Sequence, residues 1–414
     1  MTITAKHQIL IVGGGTAGIT VAARMLRKGF TDVAVIEPSS THYYQPLWTL
    51  VGGGQAKASS TERAEASVMP TGATWIENAA SAFDPDGNTV TCADGATYEY
   101  DVLVVCPGIQ LDWNRTEGLE DALGRDGVSS NYRFDLAPRT WDLIRTMRSG
   151  TAVFTVPSGA IKCAGAPQKI AYLASDYWRS QGVLSDIDVH LVMPGARPFG
   201  IPAIADSLDE VIADYGITLH TNSEVTSVDA ASHKVGVTSV GAGGSDLMLP
   251  YDMLHAVPRQ SAPDWIKSSP LSTGDANGYV DIDIDIDIDI DIDIDIDKHT
   301  MQHVRYPNVF SLGDAGSSPN SKTGAAIRKQ APVVVANVDA FLHNQPLPAS
   351  YDGYSSCPIV TSSHAMLLAE FDYDLKLEHS FPLIDPTTPH RAYWYLKKYG
   401  LPFMYWNLML KGLA

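Results

Sequence analysis

Apolar and polar positions at the start of the chain predict a βαβ unit. Residues 7–12 (HQILIV) are apolar, the glycine-rich GGGTAG follows, an amphipathic stretch reaches Lys28, and DVAVIE is a second apolar run. Helical spacing of apolar residues between two short apolar runs is typical of strand, helix and strand. The chain therefore begins as an α/β protein.

The same type of pattern recurs further along. Residues 73–106 contain several strand-like runs with turn signals, which predict a hairpin insertion. From Gly150, the segments TAVFTV, PQKIAYLASDYWRS, DVHLVM and ADSLDEVIADYG predict a second α/β unit. The apolar run NVFSLGD and a helix from about Thr323 then return to the first unit.

A chain of 414 residues is too long for one ordinary core. The predicted fold class is α/β, with two dinucleotide-binding, Rossmann-like domains and a C-terminal membrane-interface region. The predicted boundaries are 1–149 and 301–350 for the two parts of the first domain, 150–275 for the second domain, 276–300 for a low-complexity insertion, and 351–414 for the C-terminal region.

The acidic charge is concentrated in one segment. Nine aspartates of a D-I repeat lie in residues 281–297, which is half of the formal net charge of −18. The remaining surface lacks the basic face that nucleic acid requires, so nucleic acid is excluded as a partner. We interpret the repeat as a tandem expansion of a strand end, tolerated as an exposed loop. Calcium binding by the aspartate row is the alternative, but the repeat lacks the glycine turns of calcium loops, and no metal site is predicted.

A nucleotide-binding motif directly follows the first predicted strand. Gly13, Gly15 and Gly18 form GxGxxG between strand and helix, which brings a pyrophosphate to the helix N-terminus. Glu37 ends the second strand, where a carboxylate would bind the ribose hydroxyls. This motif predicts a dinucleotide but does not separate FAD from NAD.

A second, distant motif favours FAD. In YPNVFSLGDAG, an apolar strand ends in Gly313 and Asp314, and Lys322 precedes the helix from Thr323. In flavoproteins of this architecture such an aspartate binds the ribityl chain, and a helix N-terminus with a cation beside it would stabilise the reduced flavin. The alternative is a plain aspartate N-cap with a surface lysine.

The loop of the second unit carries a cysteine where an NADH-dependent protein would have glycines. Cys163 precedes a helix with Pro167 in its first turn, and Lys162 and Lys169 are near in sequence. We expect the pKa of this thiol to lie below its usual value of about 8.5. Cys357, in YSSCPIVT, is undecided on its own.

The other cysteines and three histidines are interpreted as structural. Cys92 and Cys106 fall in or beside strand runs, with Cys106 expected near the adenosine half of FAD. Four cysteines are no disulfide scaffold, so any disulfide should be catalytic. His42, His255 and His364 are expected to be satisfied core or surface residues.

The last 24 residues are rich in aromatics. Apolar pieces of about a dozen residues are too short to span a bilayer, and Gly400 and Pro402 are expected to divide two short helices. With the cations Arg391, Lys397, Lys398 and Lys411, this tail predicts a monotopic membrane anchor, away from the cysteines and the flavin. Since no targeting segment is evident, we expect peripheral membrane attachment at the cytoplasmic face. The alternative is a helix pair that packs on the body or on a sister subunit.

Several segments together resemble the sulfide:quinone oxidoreductase family, in particular the branch that includes the mitochondrial enzymes. The similarity runs over almost the whole chain and is carried by HYYQPLWTLVGGG, GIQLDW, KCAGAPQK, RYPNVFSLGD, SKTGAA, YDGYSSCP, AEFDYD and PFMYWNLMLKG. KCAGAPQK and YDGYSSCP are specific, because they contain the family's two redox cysteines.

The resemblance implies that Cys163 and Cys357 form a disulfide, or one with an extra sulfur, beside the flavin. Sulfide would open it, leaving a persulfide on Cys357 and a Cys163 thiolate. Sulfite, glutathione, cyanide or more sulfide would take the sulfur, and quinone the electrons. Pro46 and Gly108 would contact FAD, and Phe371 and Phe403 the quinone; a homo-oligomer is possible.

Two departures from the family pattern are the D-I repeat and the sequence Cys106-Pro107-Gly108 in place of a small-residue turn. The flavin is expected to be noncovalently bound. Three other functions are possible alternatives: a type II NADH:quinone reductase, an exported flavocytochrome subunit, and a catalytically silent flavoprotein that acts as an interaction or redox-sensing module. The missing second glycine motif argues against the NADH:quinone reductase.

Overall fold

A computed structural model describes residues 3–240, 246–273 and 294–414. Most of the D-I repeat, predicted to be an exposed loop or alternatively a calcium site, lies outside these residues. Only its end is described: Ile294 and Ile296 are buried, and Ile294 forms a β-bridge with Gly316. The end of the repeat thus belongs to the folded body.

The first part of the chain, up to residue 149, is built from short elements around one long strand pair. Its strands are β1 Ile3–Val12, β2 Val33–Ile36, β3 Thr41–Tyr43, β4 Glu62–Ala64, β5 Thr74–Ile76, β6 Ala80–Asp84, β7 Thr89–Cys92, β8 Thr97–Val105, β9 Gln110–Asp112 and β10 Val128–Ser129. Its helices are α1 Thr16–Lys28, α2 Trp48–Gly52, α3 Glu65–Val68, α4 Leu119–Ala122 and α5 Ala137–Thr146.

The second part contains the predicted second α/β unit. Its strands are β11 Gly150–Thr155, β12 Ile187–Val192, β13 Thr218–His220, β14 Ser223–Asp229, β15 Lys234–Ser239, β16 Leu247–Pro250, β17 Met253–His255 and β18 Arg259–Ser261, and its helices are α6 Ala166–Ser180, α7 Pro202–Tyr215 and α8 Asp264–Lys267. From residue 294 onward the elements are β19 Val309–Ser311, β20 Ser355–Ser362, β21 Ala365–Phe371, α9 Gly324–Leu342, α10 Arg391–Tyr395 and α11 Leu401–Asn407.

The first sheet is discontinuous in sequence. Its strand order is β5-β2-β1-β8-β7-β6, and β19 pairs in parallel with β8. The central strands are buried on both faces at residues 9–12 of β1, throughout β2 and at residues 102–105 of β8, and α1 packs against α9. The return of the late segment to the first unit is therefore confirmed.

The second sheet is parallel, with the order β10-β17-β11-β12-β13. One of its strands, β10, comes from the first part of the chain, before the predicted boundary at 149. The antiparallel strands β14, β15 and β16 form a separate small sheet, and β20 and β21 form a hairpin. This architecture confirms the predicted pair of Rossmann-like units, while the exact domain boundaries stay a prediction.

Candidate active site

The glycine motif forms a tight turn between β1 and α1. Gly13 has φ +102°, and a Cβ there would lie 2.4 Å from the Cys106 carbonyl oxygen. A Cβ at Gly18 would lie 1.8 Å from the Gly13 oxygen, so helix and loop can approach only because both residues are glycines. A Cβ at Gly15, in contrast, would meet no atom of the described residues within 4 Å. The turn thus leaves open space in front of the helix N-terminus, as a pyrophosphate requires.

The two predicted carboxylates, Glu37 and Asp314, follow the ends of strands β2 and β19. Glu37 accepts hydrogen bonds of 2.7 Å from the backbone N–H groups of Gly14 and Ser39, and burial raises its pKa. Asp314 lies in a short 3₁₀ helix, Gly313–Ala315, and burial raises its pKa as well, although Lys162 and Lys322 oppose this. Both carboxylates border the predicted dinucleotide site.

The plain N-cap interpretation of Asp314 is wrong. The N-cap of α9 is Thr323, whose hydroxyl accepts from the Ala326 N–H at 3.1 Å. Lys322 is not a surface residue either, because it is 7% exposed and its ammonium donates to the carbonyls of Asp314 and Gly316. Lysine and aspartate belong to one buried loop ahead of α9.

Two further predicted cofactor residues, Gly108 and Pro46, have open space beside them. Gly108 has φ +82°, and a Cβ placed on it would have no atom of the described residues within 4 Å. Pro46 is exposed and lies in the 3₁₀ helix Gln45–Leu47. The open glycines, the tight Gly13 turn and the buried Asp314 together fit a bound dinucleotide such as FAD. That each of them contacts the cofactor stays a prediction.

The two redox candidates, Cys163 and Cys357, meet although 194 residues separate them. Cys163 lies in the loop before α6 and is partly exposed, whereas Cys357 is on β20 and fully buried. Their sulfurs are 3.4 Å apart, which is hydrogen-bond contact between two thiol groups. Gly165 makes this contact possible, since a Cβ there would lie 2.6 Å from the Cys357 sulfur.

The electrostatics of the pair are asymmetric. The hydrogen bond with Cys357 lowers the pKa of Cys163 well below its usual range, with help from the ammonium groups of Lys169 and Lys397. The same hydrogen bond, together with burial, raises the pKa of Cys357. Lys169 Nζ is 3.2 Å from Cys163 Sγ, and the side chain is 3% exposed. The Lys169 contact and the lowered pKa favour Cys163 as the thiolate of the reduced pair, although the largest cause of the lowered pKa is Cys357 and not the helix position used in the prediction.

The two structural cysteines behave as expected. Cys92 is buried, and burial raises its pKa to about 11. Cys106 is also buried, with a raised pKa, and its sulfur lies 3.7 Å from the Gly13 oxygen, beneath the glycine turn. Neither thiol is activated.

The C-terminal tail differs from its prediction. Its helical segments follow one another without a break, since a π-helical segment, Leu396–Gly400, joins α10 to α11. Pro402 does not end the helix, because it lies in the first turn of α11 and the preceding turn is widened. No helix of the described ranges 3–240, 246–273 and 294–414 is long and apolar enough to cross a membrane.

The expectation that the tail lies away from the active site is wrong. Lys397, counted as a cation of the anchor, is 3% exposed, and its ammonium donates to the Pro46 carbonyl at 2.8 Å. Tyr405, on α11, is also buried, and its hydroxyl is 2.9 Å from the Thr16 hydroxyl at the start of α1. The inner face of the tail thus borders both the cysteine pair and the nucleotide turn.

His42 connects the tail to the first domain. Its Nε2 is 2.6 Å from the Tyr405 hydroxyl, and its Nδ1 is 3.2 Å from the buried carboxylate of Glu65. The interpretation as a satisfied core histidine is therefore confirmed. Its partners, 23 and 363 residues away, had no recognisable sequence spacing.

The two predicted quinone residues lie in different surroundings. Phe371 is buried at the end of β21 and packs edge-on against Phe199. Phe403 is 62% exposed and continues a row of exposed rings formed by Tyr395 and Tyr399. Both remain predictions as quinone contacts.

Comparisons with known proteins agree with this geometry. Residues 7–326 match the pyridine nucleotide-disulphide oxidoreductase family. A mitochondrial sulfide:quinone oxidoreductase of Dictyostelium discoideum is 40% identical over 98% of this chain and 86% of its own length. A mitochondrial sulfide:quinone oxidoreductase of Mus musculus is 36% identical over 99% of this chain and 88% of its own.

A solved structure extends the comparison to the fold. The sulfide:quinone oxidoreductase of the hyperthermophilic bacterium Aquifex aeolicus superposes with a TM-score of 0.80 over 99% of this chain and 92% of its own, at 18% identity. Sequence identity over nearly full length, the shared fold and the paired cysteines lead to the same assignment. The chain belongs to the sulfide:quinone oxidoreductase family of FAD-dependent flavoproteins.

Proposed function

We propose that this protein oxidises sulfide through the Cys163–Cys357 pair and passes the electrons through FAD to a membrane quinone. The single observation that carries the proposal is the contact between the two sulfurs, 3.4 Å apart, with the Lys169 ammonium 3.2 Å from one of them. A thiol pair with a built-in thiolate is suited to thiol–disulfide exchange.

The asymmetry of the pair selects the direction of attack. In the oxidised pair, hydrosulfide attacks Cys357 Sγ, a new S–S bond forms, and the bond to Cys163 breaks. Cys163 leaves as the thiolate, because the thiol of lower pKa is the better leaving group. The proton of the hydrosulfide stays on the Cys357 persulfide, and Lys169 stabilises the charge released on Cys163.

A second nucleophile then removes the outer sulfur and leaves Cys357 reduced. The two cysteines re-form their bond by releasing two electrons, and quinone finally takes up two electrons and two protons. Bound FAD would supply the two-electron carrier between them. Gly13, Gly15 and Gly18 would hold its pyrophosphate, Glu37 its ribose, Asp314 its ribityl chain, and Lys322, with Pro46 and Gly108, the flavin end. Sulfite, glutathione, cyanide and sulfide all stay candidates for the nucleophile.

The outer face of the tail supports attachment to a membrane surface. Tyr395, Tyr399 and Phe403 follow at helical spacing and are 49, 58 and 62% exposed. Lys398 lies beside this row, 5.6 Å from the Tyr399 ring centre. Aromatic rings with a flanking cation are typical of a helix that lies in the interface rather than across it. The cytoplasmic face and a homo-oligomer remain predictions.

Anaerobic mixing with sulfide tests the redox half of the proposal. The purified holoprotein should lose its oxidised-flavin absorbance with sulfide and regain it with a short-chain quinone. Cys163→Ser and Cys357→Ser should each abolish the bleaching while FAD remains bound, and Cys92→Ser should behave as wild type. Near-normal bleaching in either active-site variant would refute the assignment, and no bleaching in the wild type would favour the silent flavoprotein.

A flotation assay tests the membrane half. Replacing Tyr395, Tyr399 and Phe403 by serine should release the protein from liposomes, because these side chains face outward. Sulfide should still bleach the flavin of this variant, since the inner face of the tail is unchanged. Flotation at the wild-type level would mean that the exposed row is not the anchor.

A further inference from the structure

The backbone of Cys163 has an unusual conformation. Its φ is +61°, in the left-handed region that residues with a Cβ rarely adopt. Such conformations persist only where the surroundings fix them, and they cluster at functional sites. Contacts around Cys163 must therefore keep this turn in place.

Hydrogen bonds fix the peptide groups on both sides of Cys163. The Cys163 N–H donates to the Lys322 carbonyl at 2.8 Å, and the Cys163 carbonyl accepts from the Ala166 N–H at 2.7 Å. These two bonds are between backbone groups, so they depend little on side-chain identity.

Two side chains fix the preceding residue, Lys162, at both of its backbone polar groups. The Lys162 N–H donates to Gln260 Oε1 at 3.0 Å, and the Tyr132 hydroxyl donates to the Lys162 carbonyl at 3.2 Å. Burial raises the pKa of Tyr132, and the nearby cysteine sulfurs add to this, so its hydroxyl remains a donor. Gln260 and Tyr132 come from different elements and bind the two peptide groups on either side of the Lys162 Cα.

Both side chains are buried and belong to packed parts of the fold. Gln260 is 1% exposed and lies on β18, which pairs with β9, and the neighbouring Ser261 hydroxyl donates to Asp112 at 2.6 Å. Tyr132 is 7% exposed and follows β10 by three residues. Neither residue contacts a cysteine sulfur through a hydrogen bond in the part of the chain that the structure describes.

We propose that Gln260 and Tyr132 are positioning residues for the redox pair: they hold the Lys162–Cys163 turn in its left-handed form, so that the Cys163 sulfur faces Cys357. This inference rests on the proposed function. Without the two bonds, only the backbone hydrogen bonds of Cys163 hold the turn, so conformations with negative φ, in which the Cβ of Cys163 points away from β20, become more populated. The effective concentration of one sulfur at the other then falls, and bond formation between them with it.

The equilibrium between dithiol and disulfide tests the proposal without any turnover. Holoprotein is equilibrated in glutathione redox buffers, and the Cys163–Cys357 disulfide is quantified by mass spectrometry. Tyr132→Phe and Gln260→Leu should each lower the equilibrium constant for the disulfide about tenfold, the effect expected from losing one buried hydrogen bond. Tenfold corresponds to a reduction potential about 30 mV higher. FAD content should not change.

Tyr172→Phe is the matched control. It also removes one buried hydroxyl, but this hydroxyl lies on α6 and donates to Gln168 at 2.6 Å. Its disulfide equilibrium should equal that of the wild type. Tyr132→Phe removes a single oxygen and is the deciding variant should Gln260→Leu fail to fold.

The redox pair and the positioning role can fail separately. A wild-type protein that forms no Cys163–Cys357 disulfide in oxidising buffer would overturn the redox pair, and the positioning role with it. A wild type that forms the disulfide, with Tyr132→Phe and Tyr172→Phe both at its equilibrium constant, would overturn the positioning role alone.

Discussion

Replacing Lys169 by methionine should raise the pKa of the Cys163 thiol strongly. The ammonium is 3.2 Å from the Cys163 sulfur and 3% exposed, so water cannot take its place easily. Methionine has a similar length and no charge, so the variant removes mainly the charge. Because the cation favours the thiolate, its loss moves the titration of Cys163 to higher pH.

The size of the effect follows from the contact. A hydrogen bond to a charged group contributes about 1.5 to 3 kcal/mol, and one pKa unit equals about 1.4 kcal/mol, so the ionisation constant of Cys163 should fall about 10- to 150-fold. The Cys357 hydrogen bond and Lys397 remain in the variant and keep part of the stabilisation.

The assay is the pH dependence of iodoacetamide alkylation of the reduced protein, followed at Cys163 by peptide mass spectrometry. Lys162→Met is the matched control, because Lys162 is adjacent to Cys163 in sequence while its ammonium donates to Gln45 instead, at 2.8 Å. Equal shifts in the two variants would refute the reasoning from geometry and leave only proximity in sequence. An alkylation midpoint near that of a free thiol in the wild type would refute the thiolate assignment altogether.

Three further results are expected. A chain truncated before Arg391 should lose flavin on gel filtration and respond poorly to sulfide, since it lacks Lys397 and Tyr405. Normal flavin content would mean that the tail does not contribute to flavin binding. Burial and Lys169 lower the pKa of Lys397 from its ordinary 10.5 to about 7, so between these values the unfolded chain binds more protons and the free energy of unfolding rises with pH. Urea unfolding at pH 7 and pH 9 should therefore give a smaller difference for Lys397→Met than for wild type, and an equal difference would exclude this titration. NADH should reduce the flavin far more slowly than sulfide in stopped-flow measurements, since the second domain has a cysteine loop in place of a phosphate-binding turn; comparable rates would revive the NADH reductase alternative.

Features that depend on a few neighbouring residues could be predicted from the sequence. The glycine turn is one of them, because Gly13, Gly15 and Gly18 determine its geometry locally. The direction of the Cys163 pKa was expected in part from Lys169, six residues along the chain, although its largest cause, the hydrogen bond with Cys357, is not local. The return of β19 to the first sheet was also evident from its apolar pattern and its position before a helix.

The inner face of the tail could not be predicted in this way. The tail has aromatic residues on both faces, so composition alone does not indicate which face is buried. Lys397 points inward because its amino group donates to the Pro46 carbonyl, 351 residues away, and the Tyr405–Thr16 contact spans 389 residues. The partners Gln260 and Tyr132 were missed for the same reason, since only the folded chain brings them to Lys162.

The left-handed conformation of Cys163 also suggests how this site would decay. A residue with a side chain at φ +61° costs about 1 to 2 kcal/mol that glycine would not. A descendant that retained the fold but no longer needed sulfur chemistry would thus be stabilised by Cys163→Gly, whereas Cys357, on a regular strand, offers no such gain. Glycine at this position, with the rest of the loop unchanged, is therefore the first substitution expected in a relative that no longer catalyses the sulfur chemistry.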